Sequence, residues 1–245
     1  MDTIYFILII SILGPVIGSL IGVIKKPSYR FMYNLLGFAA GVMLAISFLQ
    51  LIPQGIELSS LTYAIAGIIL GTAAMYALDR LIPHIHPELC KQEQGCKLKR
   101  TALYLIIGIF LHNFPEGMAI GIGTVTGMKN AIVVALAIAI HNIPEGICTS
   151  APYYYSNKKK LKSFLVSSLT AVPLIVGFFF AHFLYQHISL NLVGMLISAT
   201  AGIMIYISAD ELIPCSCGNE KNNGSHSTIF SLIAGVLLVV MLGYL

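Results

Sequence analysis

Charged residues are scarce in this sequence. Only 10% of its 245 residues are Asp, Glu, Lys or Arg, whereas 57% are hydrophobic and the mean hydropathy is +0.87. A soluble globular domain carries about a quarter charged residues, so this composition excludes water as the main solvent. The net charge of +4 comes from basic residues spread over several loops and indicates no nucleic-acid partner. We therefore expect an integral membrane protein, with the lipid bilayer as its surroundings.

Linkers and low-complexity tracts are also missing. We expect one polytopic membrane domain over residues 1–245, with a cytosolic loop at about 83–100 between helices 3 and 4. A spanning helix needs ~20 mostly apolar residues, and eight runs meet that length. They lie at about 4–24, 31–53, 61–82, 101–126, 130–151, 163–186, 190–213 and 228–245. The predicted fold class is an all-α bundle of eight transmembrane helices.

Basic residues are nearly absent from the loops on one side of this bundle, which hold only Lys129. The other Lys and Arg residues lie in or beside the loops that follow helices 1, 3, 5 and 7. Cytoplasmic loops are enriched in Lys and Arg. We therefore expect both termini to lie outside and the protein to be a multi-pass protein of the plasma (cytoplasmic) membrane.

Small residues recur every four positions in several of the predicted helices. Such spacing lets helix backbones approach closely in a bilayer. The glycines concerned are Gly14, Gly18 and Gly22, Gly37 and Gly41, Gly67 and Gly71, and Gly117 and Gly121. We expect them to mark tight helix–helix contacts rather than a ligand site.

Two nearly identical polar motifs interrupt helices that otherwise contain almost no charge. HNFPEG occupies 112–117 and HNIPEG occupies 141–146. Within each motif the histidine and the glutamate are four residues apart, so they share one helical face. Each motif falls about halfway along its helix, and the two helices run in opposite directions. We expect the motifs to meet near the bilayer midplane, a depth at which transporters bind substrate.

A proline lies inside each motif, at Pro115 and Pro144. Proline lacks an N–H and clashes with the carbonyl four residues earlier, here that of Leu111 or Ile140. Helices 4 and 5 are therefore expected to be kinked at the centre of the bundle. The same distortion would let the neighbouring asparagines join the histidine–glutamate face.

Placing the charges of the two glutamates at this depth in the bilayer costs free energy. An intramembrane charge costs roughly 2.5–3.5 kcal/mol on insertion scales, and no Lys or Arg within the spans neutralises Glu116 or Glu145. Both glutamates must be protonated when no ion is bound, or a bound cation must compensate their charge. Converging imidazoles, carboxylates and amide oxygens suit a divalent transition metal, and the absence of cysteine argues against Cu(I). Hydrogen-bonded His–Glu pairs and a metal-free proton relay are the alternatives.

The paired motifs resemble the signatures of the ZIP family of zinc and iron transporters, in the prokaryotic branch that has HNxPEG in both helices. AAGVMLAISFLQLIP in helix 2 and DELIP in helix 7 are further similarities, and the likeness extends over essentially the whole chain. It implies a divalent-metal transporter rather than an enzyme, carrying metal into the cytoplasm by alternating access. Helices 4 and 5 would move past a more static scaffold. Zinc is the favoured cargo, with iron, manganese, cobalt and cadmium as further candidates, and no resident cofactor is expected.

The resemblance also implies which residues bind the metal. One ion would be held by His112, Glu116, His141 and Glu145. A second ion would be held by Asn113, Asn142 and the same glutamates. Met43 of helix 2 matches a position that borders the site in relatives.

One departure from the family pattern concerns the second ion. Relatives usually carry EPLG in helix 6, whereas this chain has Val172 before Pro173. Asn142 likewise stands where some relatives have aspartate. With fewer carboxylates available, we expect a single well-occupied metal site and at most a weak second one.

Asp210 and Glu211, at the cytosolic end of helix 7, are expected either to form an exit relay for the metal or to be a solvated helix end. Two other functions stay open: a passive metal-selective channel and, less favoured, a membrane-embedded metallohydrolase. The residue after each motif histidine is asparagine, so the helical HExxH pattern of a metallohydrolase is absent. The sequence leaves the oligomeric state open, with a homodimer among the options.

Overall fold

The computed structural model of this chain describes residues 2–24, 27–81, 106, 109–110, 113–124, 127–217 and 225–244. Within these ranges all regular secondary structure is helical. Seven of the described helices are long enough and apolar enough to cross a membrane. They coincide with seven of the eight predicted runs, and residues 113–124 of the remaining run are helical too. The predicted fold class is thereby confirmed: the chain is an all-helical, multi-pass membrane protein.

We number the helices α1 to α8. The bounds are α1 Asp2–Ile24, α2 Tyr29–Ile46, α3 Leu61–Leu81, α4 113–124, α5 Met128–Asn157, α6 Lys160–Ser168 with Ala171–Leu184, α7 Leu190–Ile207 and α8 Ser225–Gly243. Helix α2 continues through a π-helical turn at Ser47–Leu51 into Ile52–Leu58, and α7 continues through a similar turn at Ser208–Leu212 into Ile213–Cys217. Serine caps begin three of the described helices, because the hydroxyls of Ser28, Ser60 and Ser189 accept the backbone N–H groups of Phe31, Tyr63 and Leu192.

Helices α2 and α7 extend further than the apolar runs predicted. Each contains the pattern S-x₃-L-I-P, and the proline would normally end the helix. In α2 the π turn before Pro53 lets the backbone N–H of Ile52 bond the Ser47 carbonyl, five residues back. The wider turn supplies the room that the proline ring needs, so the helix resumes. Helix α7 repeats the arrangement between Ile213 and Ser208.

Close backbone contacts sort the helices into two bundles. In the site bundle (α1, α4, α5, α6), Gly18 packs against Ile143 of α5 and Gly117 packs against Leu174 of α6. In the frame bundle (α2, α3, α7, α8), Gly41 packs against Leu232 and Gly71 against Ala199. Every helix-to-helix glycine contact in the described part of the chain joins helices of the same bundle. The predicted role of the small residues in tight packing is confirmed.

Hydrogen bonds reinforce each bundle. In the site bundle the Ser167 hydroxyl of α6 lies 2.7 Å from that of Ser19 in α1 and close to that of Thr149 in α5. In the frame bundle the Tyr206 hydroxyl donates to Asp79 over 2.9 Å, linking α7 to α3. The described residues of both polar motifs therefore belong to one tightly packed unit. The outward position of the termini stays a prediction.

Candidate metal site

Three buried ligand groups meet between α4 and α5. Glu116, His141 and Glu145 each offer one ligand atom, and these atoms lie within 4.8 Å of one another. All three side chains are at most 1% exposed. Donors on one tetrahedral zinc ion, each ~2.1 Å from the metal, stand about 3.4 Å apart. Small side-chain movements would therefore place these three groups around one ion.

The Glu116 carboxylate lies at the centre of the hydrogen bonds in this cluster. Its Oε1 is 3.0 Å from Nε2 of His141, and its Oε2 accepts a hydrogen bond from Nδ2 of Asn142 over 3.1 Å. Asn142 is the residue after His141, and its side chain also reaches the cluster. A carboxylate of α4 thus joins two successive residues of α5 inside the bundle.

A backbone carbonyl group fixes the orientation of the His141 ring. Its Nδ1 lies 3.0 Å from the carbonyl oxygen of Ala137, and a carbonyl can only accept, so this contact assigns the ring proton to Nδ1. In a neutral ring Nε2 then presents a lone pair to the Glu116 oxygen. Two acceptors at this distance require a proton or a cation between them. A carbonyl-anchored imidazole of this kind is typical of metal-binding histidines.

Two fully buried asparagines add oxygen donors. The Nδ2 of Asn113 donates to the carbonyl of Thr170, between the two segments of α6, over 2.7 Å, while that of Asn142 donates to Glu116. The side-chain oxygens of both asparagines are buried and have no hydrogen-bond partner among the described residues. Leaving buried acceptors unpaired is costly. Amide oxygens are also acceptable ligands for hard divalent cations, which would offset that cost.

The predicted site residues fall into three sets. Glu116, His141, Asn142 and Glu145 lie together, and Asn113 is buried nearby in the chain on α4. His112 lies outside the described residues. Met43, on α2, is fully buried in the apolar core of the protein. Its position at the border of the site stays a prediction.

Asp210 and Glu211 lie in the π turn of α7, where both side chains are partly buried. The helix does not end there, because it continues to Cys217. Val172, the residue that departs from the family pattern, is 42% exposed. Among the described residues, the cluster contains no carboxylate beyond Glu116 and Glu145.

Sequence reasoning missed two supporting groups, the carbonyls of Thr170 and Ala137. Ala137 precedes His141 by one helical turn, so the fourth residue before a buried histidine was a signal that could have been used. Thr170 has no such signal, because its contact with Asn113 depends on how α4 packs against α6.

Taken together, this geometry provides two carboxylates, an imidazole and an amide in an enclosed, water-poor space. The donor set matches the preferences of zinc and of similar first-row divalent ions. Among its described residues there is no nucleophile poised beside a base, so the arrangement favours holding and releasing an ion over hydrolysis.

Comparison with known proteins gives two findings. The Zip family model, described as "ZIP Zinc transporter", matches residues 84–243. Proteins named "Zinc transporter ZupT" from Salmonella heidelberg (strain SL476), Salmonella newport (strain SL254) and Salmonella agona (strain SL483) are each 34% identical to this chain over 235 residues. These alignments cover 92% of this chain and 91% of each relative.

Proposed function

This chain belongs to the ZIP zinc transporter family, and from that premise we propose that it carries Zn²⁺ into the cytoplasm by alternating access. The observation that carries the proposal is the buried cluster of Glu116, His141 and Glu145, whose ligand atoms lie within 4.8 Å of one another. Two neighbouring carboxylates in a membrane bundle repel each other unless a proton or cation compensates them. The family match identifies that cation as cargo.

The full ligand set in this proposal adds His112 to the three clustered residues, since His112 begins the first motif as His141 begins the second. Asn113 and Asn142 would support a weaker second position. We also propose that the chain belongs to the prokaryotic branch of the family, with HNxPEG in both helices. Iron, manganese, cobalt and cadmium are the competing cargoes to test.

The two-bundle packing supports alternating access over a static pore. Close glycine contacts hold α1, α4, α5 and α6 together, so the cluster can move as one unit with its supporting helices. In this proposal the site bundle shifts against the frame bundle and exposes the ion first to one side and then to the other. A passive channel would instead give zinc flux that does not saturate and that depends steeply on voltage.

The remaining parts of the proposal concern the whole protein. The chain forms one membrane domain over 1–245, with both termini outside. Asp210 and Glu211 receive the ion at the cytosolic end of the frame bundle. A homodimer is the assembly to test, by the mass of the purified protein in detergent.

Zinc influx into proteoliposomes tests the transport function. Wild-type protein should give saturable influx, and Glu145→Ala should lower it at least tenfold, since loss of a partner outside the ligand shell already costs 10–100-fold in metal affinity and Glu145 is a proposed ligand itself. His112→Ala tests the ligand that lies outside the described residues. Glu57→Ala is the matched control, because Glu57 is an exposed carboxylate outside the cluster. Equal influx for wild type and Glu145→Ala would refute the proposed site.

The number of ions bound tests the expected effect of Val172. With two carboxylates in the cluster among the described residues, we expect one firmly bound zinc ion per chain at modest zinc concentration. Equilibrium dialysis with elemental analysis measures the ratio. Asn142→Asp adds a third carboxylate beside Glu116 and should raise occupancy of the second position. Two ions of equal affinity in the wild type would contradict the prediction.

A further inference from the structure

An apolar cleft opens between the two bundles. Its volume is about 390 Å³, and it is walled by α3 and α7 of the frame bundle and by α6 and the α4 segment of the site bundle. Among the residues that the structure describes, ten line the cleft, and every one of these has an apolar side chain. Its floor includes Phe114 and Pro115, which directly follow the buried Asn113.

The mouth of the cleft belongs to the outer surface of the protein. Val172 and Val176 line the cleft and are 42% and 52% exposed. They lie in a helical stripe of exposed apolar side chains that follows α6 from Leu165 to Phe183. The other members of this stripe are Leu165, Leu169, Phe180 and Phe183. In a membrane protein such a stripe faces lipid tails, so the cleft is continuous with the protein–lipid interface.

The interior of the cleft suits an apolar occupant. Met75, on its α3 wall, is only 7% exposed, so the cleft reaches well below the outer surface. Water needs polar partners in order to occupy a cavity, and smaller cavities with apolar linings stay dry and bind apolar molecules. The volume falls within the range of ~300–1,000 Å³ that is typical of ligand pockets. Inside a bilayer the abundant apolar molecule is the lipid tail.

We propose that this cleft binds one acyl chain of a bilayer phospholipid, inserted between α4 and α6 on one side and α3 and α7 on the other. The proposal does not depend on metal transport. It assigns a role to Val172 as well, because a glutamate side chain at that position would put a polar group at the entrance of an apolar cleft.

Fluorescence quenching can test this directly, because the chain contains no tryptophan. Met75→Trp places a single indole on the cleft wall, and the cleft has room for the larger ring. The variant is reconstituted in phospholipids whose acyl chains carry bromine at several positions. Bromine quenches indole fluorescence on contact, and the several positions make the quenching independent of the depth of the indole in the bilayer. Leu70→Trp, on the lipid-facing side of α3 and 56% exposed, is the positive control. Phe178→Trp, which is fully buried, is the negative control.

We expect Met75→Trp to be quenched several-fold more strongly than Phe178→Trp and nearly as strongly as Leu70→Trp. Adding Val172→Phe, which narrows the mouth, should reduce the quenching at Met75→Trp and leave that at Leu70→Trp unchanged. If Met75→Trp fails to elute as a folded protein, Ile203→Trp on the α7 wall carries the same comparison.

Several outcomes would overturn the proposal. Quenching of Met75→Trp by aqueous acrylamide but not by brominated lipid would mean that the cleft holds water. If neither acrylamide nor brominated lipid quenched Met75→Trp, the cleft would be a sealed cavity. If lipid quenching then appeared on dilution of the protein into excess lipid, a second copy of the chain would be the occupant. Lipid quenching that Val172→Phe does not change would place the lipid outside the cleft.

Discussion

Zinc flux is expected to fall ~100-fold or more in Glu116→Gln, because loss of partners outside the ligand shell already costs 10–100-fold in metal affinity. Glu116 accepts from Asn142 through one oxygen and faces the Nε2 of His141 with the other. Glutamine keeps the size of the side chain but removes its charge and replaces one acceptor with a donor. The new NH₂ group would donate to the lone pair of the His141 Nε2, which the ion needs, and a zinc ion held between α4 and α5 loses a carboxylate ligand.

The measurement compares initial zinc influx into proteoliposomes with zinc affinity in detergent, so that a binding defect can be separated from a movement defect. Glu57→Gln makes the same chemical change at an exposed position and should leave both quantities at the wild-type level. The melting temperature of Glu116→Gln should stay close to that of the wild type, since the neutral side chain is cheaper to bury. Wild-type influx in Glu116→Gln would exclude this carboxylate as a ligand.

The centre of the site was predictable because its information is local and repeated. The interval of four residues between histidine and glutamate fixes a shared helical face, and the two copies on consecutive antiparallel helices fix the meeting point. The structure accordingly places Glu116 of the first copy against His141 of the second. The scarcity of charge elsewhere in the spans made the two glutamates conspicuous.

What sequence could not supply is the packing around that centre. The contact between Asn113 and Thr170 joins residues 57 positions apart, and it depends on the way that α4 lies on α6. The π turns in α2 and α7 were likewise hidden. A proline after an apolar run normally signals a helix end, and only the observed backbone shows that a wide turn lets each helix continue. The glycine spacing predicted tight contacts but could not say which helices they join.

That pairing matters for the site, because α1 packs on the motif of α5 itself. Gly18 lies against the backbone of Ile143, inside HNIPEG, and Gly146 of the same motif lies against the backbone of Pro15 and Ser19. The supporting contact is therefore backbone on backbone, with no side chain in between that could move aside. The position of His141 is set in part by a helix that carries no ligand.

Gly18→Ala is expected to destabilise the protein and to abolish most of its zinc flux. Alanine is favoured over glycine within a helix by ~1 kcal/mol, so the substitution would stabilise an isolated α1. Here, however, the new Cβ would overlap the carbonyl oxygen of Ile143, and overpacking against immobile atoms typically costs 1–3 kcal/mol, enough to outweigh that gain. Relief requires α1 to move away from α5, which shifts His141 relative to Glu116.

Gly127→Ala is the matched control for this prediction. Gly127 caps α5 in an extended conformation, φ 172°, and among the described residues a Cβ there would meet only the end of the Asn130 side chain, at 3.9 Å. Thermal unfolding in detergent and zinc influx should both be close to wild type in Gly127→Ala and both be lowered in Gly18→Ala. If Gly18→Ala instead raised the melting temperature and kept full influx, helix propensity would dominate, and the α1–α5 contact would not be what positions the metal ligands.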